Sequence, residues 1–220
     1  MKQISKHPIF AVSMMSIILL LSSNNLFSYI SCNGSGSGYA CPLCKGIGFQ
    51  NEIESMIIEG ADYYLQGNSY IQTLLNRVEL QDLKGLDYLE MQGLVNKALE
   101  NITNSRLAYK KLVNKVKTMP YNLDVIEKLK SFDYKAFMME NRLNEKVFKQ
   151  VEGYLSSGDI TGSYKHVLSS IKKIERLLIL VKTDMDFSRI EPFWKINECC
   201  AELSLFGSYV ARIFQSIQQK

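Results

Sequence analysis

The chain has 220 residues, 46% of them apolar and 22% charged, with 26 Lys and Arg against 22 Asp and Glu. Its first 31 residues hold two of the lysines and no carboxylate, leaving 24 basic against 22 acidic residues. That near-balance argues against a nucleic-acid partner, which demands a dense basic surface. The roughly 180 residues beyond the leader suit one domain with a sizeable core.

Residues 1–31 read as an export signal. Lys2, Lys6 and His7 make a basic start, and Pro8 to Leu21 is an apolar core of signal-peptide length. Ser22-Ser23-Asn24-Asn25 interrupts it before the ~20 apolar residues of a spanning helix are reached; if Leu26–Ile30 extends it, the leader is an uncleaved anchor. Tyr29-Ile30-Ser31-Cys32 resembles a bacterial lipobox: Ser31 is the small residue before a cysteine that takes the lipid, although Tyr29 stands where such motifs carry an aliphatic residue. The resemblance implies a bacterial lipoprotein, lipid-anchored to a membrane of the cell envelope through Cys32. Residues 32–40, with Asn33-Gly34-Ser35-Gly36-Ser37-Gly38, follow as a flexible tether too rich in Gly and Ser to pack.

Residues 41–220 are expected to fold as an all-α domain of about six amphipathic helices in a bundle-like or helical-hairpin arrangement. Phe49, Ile53, Met56, Ile57, Ala61 and Tyr64 mark a first helix, with Gly67-Asn68 as its break before Tyr70–Leu75. Met91, Leu94, Val95, Ala98, Ile102, Tyr109, Leu112 and Val116 predict a long helix ended by Pro120. Leu123, Val125, Ile126 and Leu129 suit a short one capped by Asn122 or Asp124. Phe137, Leu143, Val147, Phe148, Val151 and Leu155 predict another, closed by Gly158. Tyr164, Val167, Leu168, Ile171, Ile174, Leu178 and Val181 form a regular stripe, with Lys165, Lys172, Lys173 and Arg176 largely off it as a solvated face. Ile196, Cys199, Leu203, Phe206, Val210, Ile213 and Ile217 make the last stripe, with Pro192 in its first turn. Tyr64-Leu65-Gln66-Gly67 and Tyr154-Leu155-Ser156-Ser157-Gly158 echo one another as helix ends at a glycine. The echo lacks the ~34-residue period of a tetratricopeptide array.

Four cysteines remain after Cys32, as Cys41 with Cys44 and Cys199 with Cys200. Three chemistries compete for them, beside the plain alternative of a buried free thiol at Cys199, which lies on the last apolar stripe. Two disulfides joining the pairs suit an exported protein, and closing a loop of this length restricts the unfolded chain by roughly 5 kcal/mol. Four thiolates for zinc or copper are the second reading. Neighbouring cysteines on a helix diverge by ~100°, which strains a tetrahedral zinc more than the less demanding Cu(I). A thiol redox site at Cys41-Pro42-Leu43-Cys44 is the third. Cys41-Pro42-Leu43-Cys44-Lys45-Gly46-Ile47-Gly48 resembles one repeat of the zinc module of J-domain chaperones, which needs paired repeats. The same cysteine pair resembles the glutaredoxin site without its βα setting, lysine-ligated c-type haem attachment without a histidine, and the start of saposin-like domains without their further cysteines.

Little else carries chemistry. His166 is the sole histidine after the leader and sits at the edge of an apolar stripe. Glu52, Glu54, Glu59 and Asp62 cluster on the first helix without the Glu-x-x-His of di-iron bundles. Trp194 and the twelve tyrosines suit core and helix-junction positions. The expected function is a non-enzymatic interaction or scaffold module, partnered by the membrane through its anchor and by another envelope protein.

Overall fold

The structure is a computed structural model that describes residues 42–80, 87–117, 123–184 and 191–218. Residues 1–41, which include the expected leader, Cys32, the expected tether and Cys41, lie outside the described residues, and the first turns of the first helix are described by their backbone alone. Among the described residues there are seven α-helices and no strand: α1 Pro42–Leu80, α2 Tyr88–Val116, α3 Leu123–Lys130, α4 Tyr134–Asn141, α5 Glu145–Leu155, α6 Ile160–Asp184 and α7 Glu191–Gln218. The expected all-α class holds.

The four long helices close a ring in which α1 packs on α2, α2 on α6, α6 on α7 and α7 back on α1. Cross-links fix their directions. Ser105 donates its hydroxyl to the Gly60 carbonyl at 2.7 Å, and Arg77 pairs with Glu90 at 3.1 Å, so α2 runs antiparallel to α1. Tyr64 donates to the Cys200 carbonyl at 3.0 Å, and Gln72 to the Asn197 side chain at 2.6 Å, so α7 is antiparallel to α1 as well. The end of α6 and the start of α7 line one groove, which makes them antiparallel too. The start of α1 and the ends of α2 and α7 therefore share one end of the molecule. At that end α3 packs on α7, with Lys128 reaching the Ile217 carbonyl at 3.4 Å. The helix α5 packs on α6 and α7, and α4 on α5.

The apolar stripes read from the sequence fill the interior, where Tyr64, Phe148 and Phe193 are the largest fully buried side chains. Two element boundaries differ from expectation. Gly67-Asn68 does not break α1, which runs continuously from Pro42 to Leu80. A Cβ on Gly67 would lie 2.9 Å from Ile102 side-chain atoms, and one on Gly60 2.8 Å from the Tyr109 ring. These glycines let α1 and α2 approach closely, and that packing outweighs the ~1 kcal/mol propensity cost of glycine in a helix.

The second difference makes seven helices rather than about six. The stretch expected to run as one helix through Leu143 is divided into α4 and α5 at Arg142, whose φ is 49°. There the Leu143 N–H donates to the Met138 carbonyl and the Arg142 N–H to the Met139 carbonyl, both at 3.3 Å, which is the Schellman closure. Asn144 then caps α5 by accepting from the Val147 N–H at 3.1 Å. Gly158 closes α5 as expected, at φ 74°, with the Asp159 N–H on the Tyr154 carbonyl at 2.9 Å.

Candidate functional site

The helix α7 puts Cys199 and Cys200 against the interior, Cys200 facing Tyr64 of α1. Both thiols are free and buried. Burial pushes the Cys200 thiol up to about 12, with the Tyr64 hydrogen bond only partly opposing it. A thiol held protonated is a poor nucleophile and must lose that proton before it can ligate a metal. The Tyr64 hydroxyl also stands 3.5 Å from the Ser204 hydroxyl, so the polar groups of this buried corner satisfy one another.

Cys41 is outside the described residues, and of Cys44 only the backbone is described. That backbone is informative. Cys44 and Tyr64 lie 20 positions apart in one unbroken helix, about 30 Å at 1.5 Å per residue. Tyr64 is the residue that touches Cys200, and α7 runs from there away from its own start toward the end where α1 begins. The structure thus does not bring Cys44 to Cys199 and Cys200 while α1 stays helical. A bridge or shared metal among them requires the first turns of α1 to unwind and fold back. Among the described residues no group of three or more His, Cys, Asp or Glu side chains is placed to hold a metal ion.

His166 is half-buried on α6, where three helices meet. Its ring lies 4.4 Å from that of Phe206 on α7, at 30°, and 5.6 Å from that of Tyr154 on α5. Desolvation in this aromatic setting lowers its pKa below the usual histidine value, with Glu202 acting in the opposite direction. Glu202 itself pairs with Lys146 of α5. His166 is thus a packing residue with a titratable edge.

The remaining singled-out residues scatter. Glu59 and Asp62 are exposed on α1, and the side chains of Glu52 and Glu54 are not among those described. Of the two expected roles, core and helix junction, Trp194 takes the second: it is 56% exposed in the first turn of α7. Beside that turn, Leu177, Leu180, Val181, Asp184, Glu191, Pro192 and Lys195 line a shallow groove of about 220 Å³ between α6 and α7. Lys165, Lys172, Lys173 and Arg176 are all exposed on α6.

One polar constellation escaped the sequence reading. A Glu175 carboxylate oxygen accepts from the Thr103 hydroxyl at 2.8 Å and from Arg106 at 2.9 Å, and the other oxygen lies 2.7 Å from Arg106, joining α6 to α2 in a half-buried site. Its one legible signal is that Glu175 is the sole carboxylate between Asp159 and Asp184. No helix among the described residues is long and apolar enough to cross a membrane. No family model, curated protein or solved structure matches this chain.

Proposed function

We propose that this chain is an exported protein, held at a bacterial envelope membrane through lipidated Cys32, whose helical domain serves as a non-enzymatic interaction or scaffold module for another envelope protein. The observation that carries the reading is the order of residues: a basic start, an apolar core, Ser31-Cys32, a Gly/Ser tether and then a helical domain. The domain adds a physical argument. Its apolar stripes are spent on the interior of the four-helix ring, so its described outer faces are what it offers a partner. Exposed Leu180 and Trp194 beside the α6–α7 groove supply apolar contact area there.

Envelope metal binding and thiol redox chemistry remain the competing classes, and the protonated, buried state of Cys200 favours neither. Intact mass of the protein extracted from bacterial membranes, before and after reduction and alkylation, separates the readings. A chain that starts at an acylated Cys32 and retains no metal is expected. An unmodified Cys32 overturns the anchor. Four thiols with one retained metal ion overturn the scaffold reading, while reversible oxidation of Cys41 and Cys44 alone identifies a redox protein.

A further inference from the structure

Five basic side chains from two helices far apart in sequence share one outer face of the ring. Lys110 lies on α2 and Lys117 is the residue just past its end, α6 contributes Lys165, Lys172 and Arg176, and all five are exposed. Glu175 sets the register, because its bonds to Thr103 and Arg106 place residue 175 of α6 level with that part of α2. Residues 103, 106, 110 and 117 recur at helical spacings of three, four and seven, as do 165, 172, 175 and 176. Each set therefore lies along the side of its helix that borders the other.

Among the described residues of α2 and α6, no unpaired carboxylate breaks this strip. The helix α2 has none from Asn101 to Val116, α6 has none from Ile160 to Ile174, and Glu175 is neutralised by Arg106. Among the described residues none of the five has an ion-pair partner. From Lys165 to Arg176 the strip is about 17 Å long at 1.5 Å per residue, with exposed Leu107 at its edge on α2. Like charges gathered without counter-charge repel one another and cost the folded state stability. The near-neutral balance of the whole domain hides this local excess.

We propose that this α2–α6 face rests on an anionic phospholipid surface. Two helices side by side present a broad, shallow plane rather than a groove, and four of its five cations are lysines. Lysine is a point charge suited to diffuse attraction by headgroups, which adds up per basic residue within a Debye length. The face also begins at the end of the molecule where the chain enters α1, since Lys117 follows the end of α2. A tether from an anchored Cys32 would thus deliver the domain to the bilayer with Lys117 and Lys165 leading. A polybasic patch beside an acyl chain is the second signal that turns marginal anchoring into stable anchoring. The inference relies on the envelope reading for the presence of a membrane, and on the α2–α6 surface for everything else.

Lysine footprinting tests it. The full chain is reconstituted with vesicles of phosphatidylglycerol and phosphatidylcholine, or of phosphatidylcholine alone, and acetylated by a water-soluble reagent. On the anionic vesicles Lys110, Lys117, Lys165 and Lys172 are expected to react about threefold more slowly or less, and Lys195 of α7 at an unchanged rate. The protection should disappear in about 0.5 M salt, where screening shortens the reach of these charges. The paired exposed substitutions Lys110→Glu and Lys172→Glu, with helicity checked by circular dichroism, should abolish protection of Lys165. Equal reactivity on the two vesicle types overturns the proposal, as does failure to float with anionic vesicles. Equal protection by soluble polyphosphate without vesicles also overturns it, replacing a membrane surface with a general polyanion site. The mass of Cys32 reports separately on the anchor, so the failure of one reading is not mistaken for failure of the other.

Discussion

Arg142 occupies the left-handed region at φ 49° and ψ 48°, where a Cβ costs roughly 1–2 kcal/mol. Replacing it by glycine relieves that strain and gives back part of the gain as unfolded-state entropy. Arg142→Gly is therefore expected to stabilise the protein by about 0.5–1 kcal/mol, read as a rise in thermal midpoint. Gly158→Ala should do the reverse, since φ is 74° and a Cβ would also meet Ile126 at 3.0 Å. His166 gives a pH dependence whose sign follows from burial. Its folded pKa lies below 6.5, so the unfolded chain binds more protons between the two values. Stability is then full above the unfolded pKa, falls as pH drops from 6.5, and stops falling below the folded pKa. Urea midpoints measured from pH 8 to pH 5 should show this loss, and His166→Gln should flatten it. The titratable groups around His166 are Glu202 of α7, with Lys146 of α5 paired to that carboxylate.

Within helices, one substitution has opposite consequences at different places. Gly93 in α2 and Gly153 in α5 have nothing within 4 Å of an added Cβ. Alanine at either position should stabilise by up to about 1 kcal/mol through helix propensity. Gly67→Ala should instead destabilise by about 1–2 kcal/mol, because Ile102 is fully buried and its backbone nitrogen is also close, at 3.3 Å. Denaturant titration of these three variants separates packing from propensity. The α2–α6 seam carries a second element-scale prediction. Glu175→Gln leaves the half-buried Arg106 guanidinium without its carboxylate and should cost about 1–3 kcal/mol. Thr103→Val removes only one neutral donor and should cost less.

At the scale of the whole molecule, closure of α1, α2, α6 and α7 into a ring, with α5 against α6 and α7, shields Cys199 and Cys200 from solvent. Their alkylation in the native state should therefore be far slower than in urea, with a rate that rises with the fraction unfolded. Rapid native labelling of both thiols would show that α7 leaves the ring locally. Much of this architecture was legible beforehand: the stripes on α2, α6 and α7 are long and regular because burying one face imposes a three-and-four spacing. Gly67 and Gly158 were not distinguishable, since both follow a Tyr-Leu run; the facing Ile102 makes one a close contact, while a left-handed turn makes the other a stop. The isolation of Glu175 among uncharged and basic residues was visible, but its partners were not, because they lie 69 and 72 residues away. The helical class and the buried faces could be read directly from the chain, because periodicity is a local property set by burying one side of a helix. Only the tertiary structure decided which helices are neighbours. That contact pattern separates Cys44 from Cys199 and Cys200 along a 39-residue helix, and it gathers lysines from α2 and α6 into one uncompensated face.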